Sequence, residues 1–298
     1  MTHYCGYIAL VGRPNTGKST LINRILQTKL SIISSKPQTT RHRILGIHTE
    51  DNHQLIYVDT PGIHKKHSKK IMNQMLNNTA KSVLWDVDIV VMLIDGMLWG
   101  EEEQELINYL GGITKPVILV INKIDKINDK RLLLPCINTI QQKYNFAEII
   151  PLSARTGTQV DNLQQILKRL LPSGVHLFPA DQFTDRSLRF LCAERLREKI
   201  FNLCDQELPY VTNVEIESFK EEVNLVTLHA MIVVEKSSHK QIIIGAKGAK
   251  LKEIANRARL DIEQLLGKQV FLRCWCKVKS GWTNDTQLLN KFGYESIL

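Results

Sequence analysis

The sequence predicts an α/β domain with a mostly parallel sheet and helices on both faces, followed by a smaller α+β domain. Two continuous apolar runs, residues 88–95 and 116–121, flank an acidic helical segment at 101–110, and this alternation is typical of parallel strands buried on both faces. The last third instead predicts the order helix, strand, strand, helix, helix, strand. We place the first domain at 1–172, a linker at 173–184 and the second domain at 185–298.

The charge of the chain is uneven, which indicates a surface that binds a polyanion. The net charge is +9 over 298 residues. Residues 236–279 hold 11 Lys and Arg against 3 Asp and Glu, whereas residues 181–235 hold 6 against 11. A basic block beside an acidic one favours a polyanion-binding face over evenly spread solubilising charge.

The six cysteines are scattered, with no C-x-x-C pair and no histidine at zinc spacing, so we expect reduced thiols. No run approaches 18 apolar residues, and the N-terminus lacks a basic segment followed by an apolar stretch. These patterns predict neither a transmembrane helix nor a signal peptide. We therefore expect a cytoplasmic protein, and we expect it to be a monomer.

A glycine-rich pattern, G-x-x-x-x-G-K-S, lies between a predicted strand at 7–11 and a predicted helix at 20–26. Its glycines let backbone N–H groups turn towards a β-phosphate, Lys18 reaches the β- and γ-phosphates, and the Ser19 hydroxyl is placed to hold Mg²⁺. The N-terminus of the helix adds a dipole that favours the same anion. The predicted phosphate-binding residues are Gly12, Arg13, Pro14, Asn15, Thr16, Gly17, Lys18, Ser19 and Thr20.

A polar segment, residues 34–43, precedes a predicted strand at 44–48 and is called the threonine loop below. A threonine here completes the Mg²⁺ shell only while a γ-phosphate is present, so the loop is expected to order and relax with the nucleotide state. Thr40 is the preferred ligand and Thr39 the alternative. The sequence does not decide between them.

The next predicted strand, residues 54–58, ends in the motif D-T-P-G. An acidic residue at the end of such a strand lies beside the phosphate loop in a parallel sheet, where it holds Mg²⁺ through water. Gly62 is expected to give its N–H to the γ-phosphate. The motif adds Asp59, Thr60, Pro61 and Gly62 to the site, with Ser19, Thr40 and Asp59 as metal ligands and Lys18, Thr40 and Gly62 as catalytic groups.

The strand at 116–121 ends in Asn122-Lys123-Ile124-Asp125, which indicates guanine specificity. A carboxylate accepts two parallel hydrogen bonds from guanine N1–H and N2–H₂, whereas adenine points an acceptor lone pair at it, which leaves the charge unpaired. Asn122 is expected to brace the loops, and the Lys123 stem is expected to cover the face of the base.

A last short strand at 147–152 leads to Ser153-Ala154-Arg155. The backbone N–H of Ala154 is expected to meet guanine O6, and a helix at 160–170 closes the domain. The tripeptide alone is not specific. It indicates a guanine-binding loop only because it follows a strand and is the fifth motif of an ordered set.

This ordered set resembles the Era branch of the translation-factor-related GTPases, through G-x-P-N-x-G-K-S and Q-T-T-R above all. The resemblance spans the first domain and implies a P-loop GTPase that binds GTP, GDP and Mg²⁺ and hydrolyses GTP slowly. Where the best-known switch GTPases place a glutamine that orients the attacking water, directly after D-T-P-G, this chain has Ile63. Catalysis is then expected to rest on backbone groups, Mg²⁺, Lys18 and a potassium ion, which the resemblance places near Asn15.

In the second domain, helical periodicity at 187–203 is broken by Leu208-Pro209-Tyr210, and strands are predicted at 214–219 and 223–234. Three isoleucines then lead to the sequence G-x-x-G, a basic helix at 249–266 and a strand at 268–279. This order, with the basic residues around G-x-x-G, resembles a KH domain of type II. Trp275 and Trp282 are expected to pack in a core or hinge, with base stacking as the alternative.

The KH resemblance implies a loop that clamps about four single-stranded nucleotides. The two glycines of the loop allow a close approach to a sugar–phosphate chain, and the isoleucines that precede it are expected to form part of a groove that faces the bases. The predicted RNA-binding residues are Ile243, Ile244, Gly245, Ala246, Lys247, Gly248, Lys250 and Lys252.

Over nearly its full length the chain resembles the Era family, which implies binding to the 3′ end of small-subunit (16S) ribosomal RNA, a role in 30S maturation, and a GTP-controlled RNA groove. Arg41, His42 and Arg43, with residues 65–70 of the basic stretch at 63–70, are expected to sense both nucleotide and RNA. Two alternatives stay open: a GTP-dependent partner in tRNA modification, and a membrane-associated cell-cycle switch. A peripheral fraction at the cytoplasmic face of the inner membrane is kept as a side role.

Overall fold

The computed structural model describes residues 2–34, 36, 39–62, 71–204 and 207–294, apart from the side chains of residues 80 and 81. Two sheets organise these residues, one of six strands in the first half and one of three strands in the second. The predicted basic stretch at 63–70, with Ile63 at its start, lies outside the described residues, as do residues 35, 37 and 38 of the threonine loop.

The first sheet has the strand order β2-β3-β1-β4-β5-β6, in which β2 is antiparallel to β3 and the other neighbours are parallel. The mostly parallel α/β sheet predicted from the sequence is therefore confirmed. Because parallel strands end at one edge, the loops that follow β1, β3 and β5 meet there. The strands are β1 (Tyr4–Val11), β2 (Ile44–Glu50), β3 (His53–Asp59), β4 (Ile89–Asp95), β5 (Val117–Asn122) and β6 (Glu148–Pro151).

Helices cover both faces of this sheet because its central strands send apolar side chains to both sides. In β1, Ile8 and Leu10 join the core under α1 and α5, whereas Ala9 and Val11 join the core under α3 and α4. The described helices are α1 (Lys18–Ile25), α2 (Ile71–Ser82), α3 (Glu101–Leu110), α4 (Leu133–Gln141) and α5 (Val160–Leu170). The bounds of α3 and α5 are those that the sequence predicts.

The sequence analysis does not identify two of these helices, α2 and α4. Helix α2 carries asparagines among its methionines, and α4 contains Pro135 and buries only Ile140. Neither helix is followed by the glycine that commonly marks a helix end. Helix α2 nevertheless has an apolar face, on which Met72, Met75 and Leu76 are buried.

The second domain has the order helix, strand, strand, helix, helix, strand, as expected for a type II KH domain. Its sheet has the order β7-β8-β9, with β7 and β8 antiparallel and β8 and β9 parallel. Ser187 caps the first helix by accepting a hydrogen bond from the Phe190 N–H. The elements are α6 (Leu188–Leu203), β7 (Thr212–Glu221), β8 (Leu225–Val234), α7 (Ser237–Ile244), α8 (Ala249–Leu266), β9 (Gln269–Val278) and α9 (Thr286–Lys291).

The predicted linker, residues 173–184, lies on the first domain instead of hanging free. Gln54 Oε1 accepts hydrogen bonds from the N–H groups of Leu177 and Phe178, at 2.8 and 3.0 Å. Near the far end of the segment, Thr184 forms a bridge to Gly46 on the edge strand β2. The segment therefore covers the sheet edge and fixes where the second domain begins to pack. The domain bounds themselves stay a prediction.

The sheet of the second domain packs against α2 of the first through an apolar cluster. Met72, Met75 and Leu76 of α2 meet Met231 and Val233 of β8 in this cluster. Trp282, which is fully buried, belongs to it, and its indole N–H donates to the Val211 carbonyl at 3.1 Å. The preferred expectation for Trp282, core packing, is what the structure shows.

Candidate functional site

Two glycines shape the phosphate loop, because each has a backbone conformation and a neighbour that exclude a side chain. Gly12 has φ +148°, and a Cβ there would lie 2.4 Å from the Leu93 carbonyl oxygen. Gly17 has φ +100°, and a Cβ there would lie 2.1 Å from Asn122 Nδ2. Asn15 also has a positive φ, of 64°. The loop therefore presents backbone N–H groups in a tight turn just before α1 begins at Lys18.

The Lys18 ammonium group is buried within this loop. Its Nζ donates to the carbonyl oxygens of Gly12 and Arg13, at 2.9 and 2.8 Å. Burial lowers the pKa of Lys18 to about 8, and the nearby Asp59 carboxylate offsets part of that shift. A polyphosphate bound in the loop would supply the negative charge that stabilises the protonated amine.

The three predicted metal ligands lie together at the mouth of the loop. Ser19 Oγ is 3.0 Å from Thr40 Oγ1 and 3.0 Å from Asp59 Oδ2, and Thr40 Oγ1 is 3.4 Å from the same carboxylate oxygen. Of the two threonines that the sequence leaves open, Thr40 is the one whose hydroxyl reaches this cluster. The Thr39 carbonyl instead accepts a hydrogen bond from Arg197.

The chemistry of this cluster fits a small divalent cation. All three groups offer oxygen, and an octahedral ion with bonds of about 2.1 Å holds neighbouring oxygens about 3 Å apart. Asp59 is fully buried, and its Oδ1 accepts no hydrogen bond from any residue that the structure describes. Burial raises the pKa of Asp59, so a cation beside it would stabilise the carboxylate.

The D-T-P-G motif packs directly on the phosphate loop. The Thr60 hydroxyl donates to the Leu10 carbonyl in β1 at 3.0 Å. A Cβ on Gly62 would lie 2.9 Å from Pro14 N, so only glycine allows this approach. The Gly62 backbone thereby lines the same cavity as Lys18 and Ser19.

Asn122 joins three of the predicted loops. Its side-chain amide donates to the Thr16 carbonyl at 2.7 Å, and its Oδ1 accepts from Ala154 N at 3.0 Å and from Lys123 N at 2.7 Å. Asn122 is 2 % exposed, so these bonds are shielded from water. The phosphate loop, the N-K-I-D loop and the S-A-R loop are held as one unit.

The proposed guanine-binding carboxylate lies in a groove of about 1080 Å³ lined by Asn122, Lys123, Asp125, Ala154 and Arg155. Asp125 accepts a hydrogen bond from Ser153 Oγ at 2.5 Å and one from Arg155 Nη2 at 2.5 Å. The Ser153 bond, followed by the Arg155 charge, lowers the pKa of Asp125. An ionised Asp125 is the acceptor that a guanine edge requires.

Two residues that the sequence analysis does not identify hold predicted site residues in place. Asp95, at the end of β4, pairs with Lys123 Nζ at 2.5 Å. Glu103, in α3, is 2 % exposed and pairs with Arg13 of the phosphate loop. Asp95 ends an apolar strand, which is a signal that the sequence offers. The position of Glu103 depends on helix packing.

The G-x-x-G loop joins α7 to α8 through three residues with positive φ: Gly245 at 69°, Lys247 at 49° and Gly248 at 81°. A Cβ on Gly245 would lie 2.7 Å from Lys250 Cβ, whereas a Cβ on Gly248 would meet nothing within 4 Å. Ala246, Lys247 and Lys252 are exposed. The loop is an open, basic turn before the N-terminus of an 18-residue helix.

The structure does not bring every predicted RNA-binding residue to this surface. Ile243 is fully buried in the core of the second domain, in the same cluster as Ile254, while Ile244 is half-buried. The helical rotation of about 100° per residue explains the difference, because it turns Ile243 inward and leaves Ile242 45 % exposed. A base-facing role for the Ile243 side chain is therefore not supported by its position.

Arg41 and His42 of the threonine loop are buried against the second domain. Arg41 is 2 % exposed and donates to the carbonyl oxygens of Thr212 and Pro209 at 2.8 and 2.7 Å. His42 Nδ1 lies 3.0 Å from the Gly293 carbonyl oxygen, and burial lowers the pKa of His42 to about 4. Their burial leaves little side-chain surface for RNA, and the expectation that they sense both nucleotide and RNA stays a prediction.

Comparisons with known proteins agree with this architecture. A family model described as a 50S ribosome-binding GTPase matches residues 7–123, and a KH domain model matches residues 207–283. The chain is 48 % identical over 292 residues to the GTPase Era of Actinobacillus pleuropneumoniae, covering 98 % of this chain and 96 % of that protein. It is 48 % identical over 293 residues to the GTPase Era of Pseudomonas aeruginosa, with the same coverage.

Two solved structures are similar over the whole chain. One is Aquifex aeolicus Era bound to GDP and AlF4⁻, with a TM-score of 0.95, 40 % identity, and coverage of 98 % of this chain and 100 % of that one. The other is Era in complex with MgGDPNP and nucleotides 1506–1542 of 16S ribosomal RNA, with a TM-score of 0.94, 40 % identity, and coverage of 99 % and 100 %.

Proposed function

The chain belongs to the Era family of GTPases, and on that premise we propose that it binds the 3′ region of 16S ribosomal RNA under the control of bound GTP and assists maturation of the 30S subunit. The observation that carries the proposal is the contact between the threonine loop of the nucleotide site and the second domain. In the threonine loop, Thr40 lies beside the other two predicted metal ligands, Ser19 and Asp59, and Arg41 is buried against the RNA-binding domain. A change at the γ-phosphate therefore reaches the second domain through adjacent residues.

The residues of the first domain have distinct roles in this proposal. Ser19 and Thr40 bind Mg²⁺ directly, and Asp59 binds it through water. When bound, Mg²⁺ neutralises charge that develops on the phosphates. Lys18 and the Gly62 N–H hold the γ-phosphate, and Asp125 recognises guanine. Other predicted residues line the nucleotide cavity, namely Pro14, Asn15, Gly17, Thr20, Asn122, Lys123, Ala154 and Arg155. Gly12, Arg13, Thr16, Thr60, Pro61 and Ser153 belong to the same loops.

The position that follows D-T-P-G holds Ile63, so the chain supplies no glutamine there to orient water. We propose that a potassium ion near Asn15 assists slow hydrolysis instead. Asn15 lines the phosphate cavity together with Lys18, which supports this because an ion beside Asn15 would lie next to the phosphates. The measurement is the GTP hydrolysis rate in potassium and sodium buffers of equal ionic strength. A higher rate in potassium is expected, and equal rates would remove the cation from the mechanism.

In the second domain, the exposed lysines and the open G-x-x-G turn support a clamp on about four nucleotides of a single strand. Gly245 and Gly248 let the strand approach the backbone, and the N-terminus of α8 favours phosphate. Ala246, Lys247, Lys250 and Lys252 lie at the turn and on the first part of α8. Ile244, half-buried at the end of α7, is the apolar contact that remains for a base.

The direct test is the affinity for a labelled RNA with the sequence of the 16S 3′ end, measured with the protein loaded with a non-hydrolysable GTP analogue or with GDP. We expect tighter binding with the GTP analogue. Equal affinity in the two states would contradict nucleotide control. An RNA of the same length and scrambled sequence separates specific binding from charge attraction, which alone would retain both RNAs equally.

A matched variant, Gly248→Asp, separates the two functions. The added carboxylate beside phosphate, at a position with φ +81°, should abolish RNA binding and leave GTP affinity unchanged. Unchanged RNA affinity would show that RNA does not bind at this loop. A loss of GTP affinity would show that the substitution had disturbed the fold.

We also propose that the protein is a cytoplasmic monomer with a peripheral fraction at the inner membrane. No helix among the described residues is both long and apolar enough to cross a bilayer. The support for a peripheral fraction is the excess of basic residues. Sedimentation with vesicles of anionic lipid tests it, with neutral vesicles as the control, and light scattering measures the oligomeric state.

A further inference from the structure

Helix α6 of the second domain makes direct contact with the backbone of the threonine loop. Arg197 of α6 donates through Nη2 to the Thr39 carbonyl oxygen. One position further along the chain, the Thr40 hydroxyl lies 3.0 Å from Ser19 Oγ. A side chain of the second domain thus holds the peptide that carries a proposed metal ligand of the first.

The C-terminal segment holds the other side of Thr40. Arg41 Nη1 donates to the Tyr294 hydroxyl at 3.1 Å and to the Thr212 carbonyl at 2.8 Å. Arg41 and Tyr294 are each 2 % exposed. The residues on both sides of Thr40 are therefore held by the second domain, while the Thr40 hydroxyl points to Ser19 and Asp59.

The groups that make these contacts are themselves rigidly held. Glu194 accepts two hydrogen bonds from Arg197, each of 2.6 Å, in the parallel geometry that gives Arg–carboxylate pairs their precision. The guanidinium carbons of Arg41 and Arg197 both lie over the Phe201 ring, 5.6 and 5.2 Å from its centre. Arg197 is 1 % exposed, so water does not compete for its partners.

We propose that Arg197 and Tyr294 are positioning residues for GTP hydrolysis, which hold the threonine loop so that Thr40 is presented to the metal and the γ-phosphate. Neither side chain contacts the nucleotide cavity; both act through the loop. The second domain is thus part of the GTPase site and not only the target of its signal. The inference rests on the proposed roles of Thr40 and Mg²⁺, and it deepens them.

The coupling must be reciprocal, because a contact that stabilises the GTP arrangement is itself stabilised by GTP. GDP lacks the γ-phosphate that Thr40 serves, so the contact should affect GTP and leave GDP binding unaffected. This difference distinguishes a positioning role from a contribution to folding. A residue needed only for stability would alter both nucleotides equally.

The first variant is Tyr294→Phe, which removes one hydroxyl and keeps the ring in the apolar cluster. We expect kcat for GTP hydrolysis to fall about tenfold, as for one hydrogen bond to a charged group. We also expect affinity for a GTP analogue with Mg²⁺ to fall severalfold and affinity for GDP to stay unchanged. Tyr144→Phe is the matched control, because its hydroxyl donates to Leu110 within the first domain, far from the loop.

The second variant removes the charge pair as a whole. Replacing Arg197 alone would strand the buried Glu194, so the double variant Glu194→Gln with Arg197→Met is used, and its melting temperature is measured. It should show the same loss of kcat and the same selective loss of GTP analogue affinity. If it does not fold, Tyr294→Phe alone decides the question.

The outcomes separate this inference from the proposed function. Unchanged kcat and an unchanged ratio of GTP analogue to GDP affinity in folded Tyr294→Phe protein would overturn the positioning role. An equal fall in affinity for both nucleotides would also overturn it, in favour of a structural role. If the unaltered protein binds RNA equally well with the GTP analogue and with GDP, the proposed nucleotide control of RNA binding is wrong. The hydrolysis rates of the variants would still test the positioning role.

Discussion

The two loops predicted to bind phosphate use the same local device in opposite surroundings. Each is a glycine-bounded turn with a non-glycine residue of positive φ, Asn15 or Lys247, placed before the N-terminus of a helix. The phosphate loop is enclosed by Asn122, Gly62 and the side chains of Thr40 and Asp59. The G-x-x-G loop is open on its outer side. An enclosed loop suits one small polyphosphate, and an open loop suits a strand that passes over it.

The surroundings also decide what the lysines do. Lys18 is 6 % exposed and loses basicity through burial, so its charge depends on what binds beside it. Lys247 and Lys252 are exposed and add charge to a surface that solvent screens. The first site is therefore expected to discriminate sharply between ligands, and binding at the second is expected to depend strongly on salt.

The largest expected effect is that of a substitution in the phosphate loop, and it tests whether that loop is enclosed by its neighbours. Gly17→Ala places a Cβ 2.1 Å from Asn122 Nδ2, at φ +100°, so the loop must open and separate from Asn122. We expect GTP affinity to fall about 1000-fold, equal to about 4 kcal/mol, while RNA affinity of the nucleotide-free protein is retained. Calorimetric titration with GTP and anisotropy with RNA measure the two. A fall of less than tenfold would mean that the loop is not enclosed as described.

The next largest effect is that of a substitution at Asp125, and it tests whether the nucleotide site is specific for guanine. Asp125→Asn removes the carboxylate that accepts two guanine hydrogen bonds, and we expect a loss of GTP affinity of about 100-fold with a preference for xanthosine triphosphate. Competition between the two nucleotides measures it. Unchanged GTP binding would refute the guanine assignment, and Asp129→Asn, on an exposed turn outside the groove, is the control.

A pH titration tests the burial of Lys18. Its pKa of about 8 lies below the ordinary value, and bound phosphates raise it, so GTP binding takes up a proton above pH 8. Affinity for GTP should fall by up to about tenfold per pH unit as the pH rises from 8 towards 9.5. RNA affinity in the same buffers is the reference. A flat GTP profile would show that Lys18 keeps its charge without the ligand.

Two substitutions in the open loop test which of its glycines is essential. Gly245→Ala meets Lys250 Cβ at 2.7 Å and also takes a strained φ, whereas Gly248→Ala meets open space and has only the strain, about 1–2 kcal/mol. We expect Gly245→Ala to weaken RNA binding about tenfold more than Gly248→Ala does. The melting temperatures show whether the loss reflects the loop or the whole domain. Equal effects would mean that space at Gly245 does not matter.

The smallest effect is that of one exposed lysine. Lys247→Ala should weaken RNA binding severalfold and reduce the slope of log K against log salt by about 0.7, the value for one phosphate contact with a single strand. Affinities at four salt concentrations give the slope. An unchanged slope would show that Lys247 does not contact phosphate. Lys115→Ala, on the first domain and away from both loops, is the control.

Much of the fold was accessible from sequence because its signals are local. Continuous apolar strands, the glycine turn before α1 and the helical periodicity of α6 each depend on residues close together in the chain. The predicted nucleotide site follows from topology, since parallel strands deliver their C-terminal loops to one edge. The motif residues Lys18, Ser19, Asp59 and Asn122 therefore lie together once the strand order is known.

The interface between the domains was decided by tertiary structure alone. Arg41 and Arg197 are ordinary polar residues of a loop and a helix in the sequence, yet both are buried on the same ring, Phe201. Ile243 resembled a groove residue and lies in the core. Residues that are 158 positions apart, such as Thr39 and Arg197, carry no shared local signal.

The sequence by itself thus predicted two phosphate-binding loops and the chemistry of the nucleotide that the first would hold, because hydrogen-bonding groups and glycine conformations are properties of short segments. Only the folded chain decided that Thr40 lies with Ser19 and Asp59 while the Thr39 carbonyl bonds to Arg197, and that the second domain holds the residues on both sides of Thr40. The physical reason is that burial is collective: whether a charged side chain meets water or a partner depends on every element packed around it.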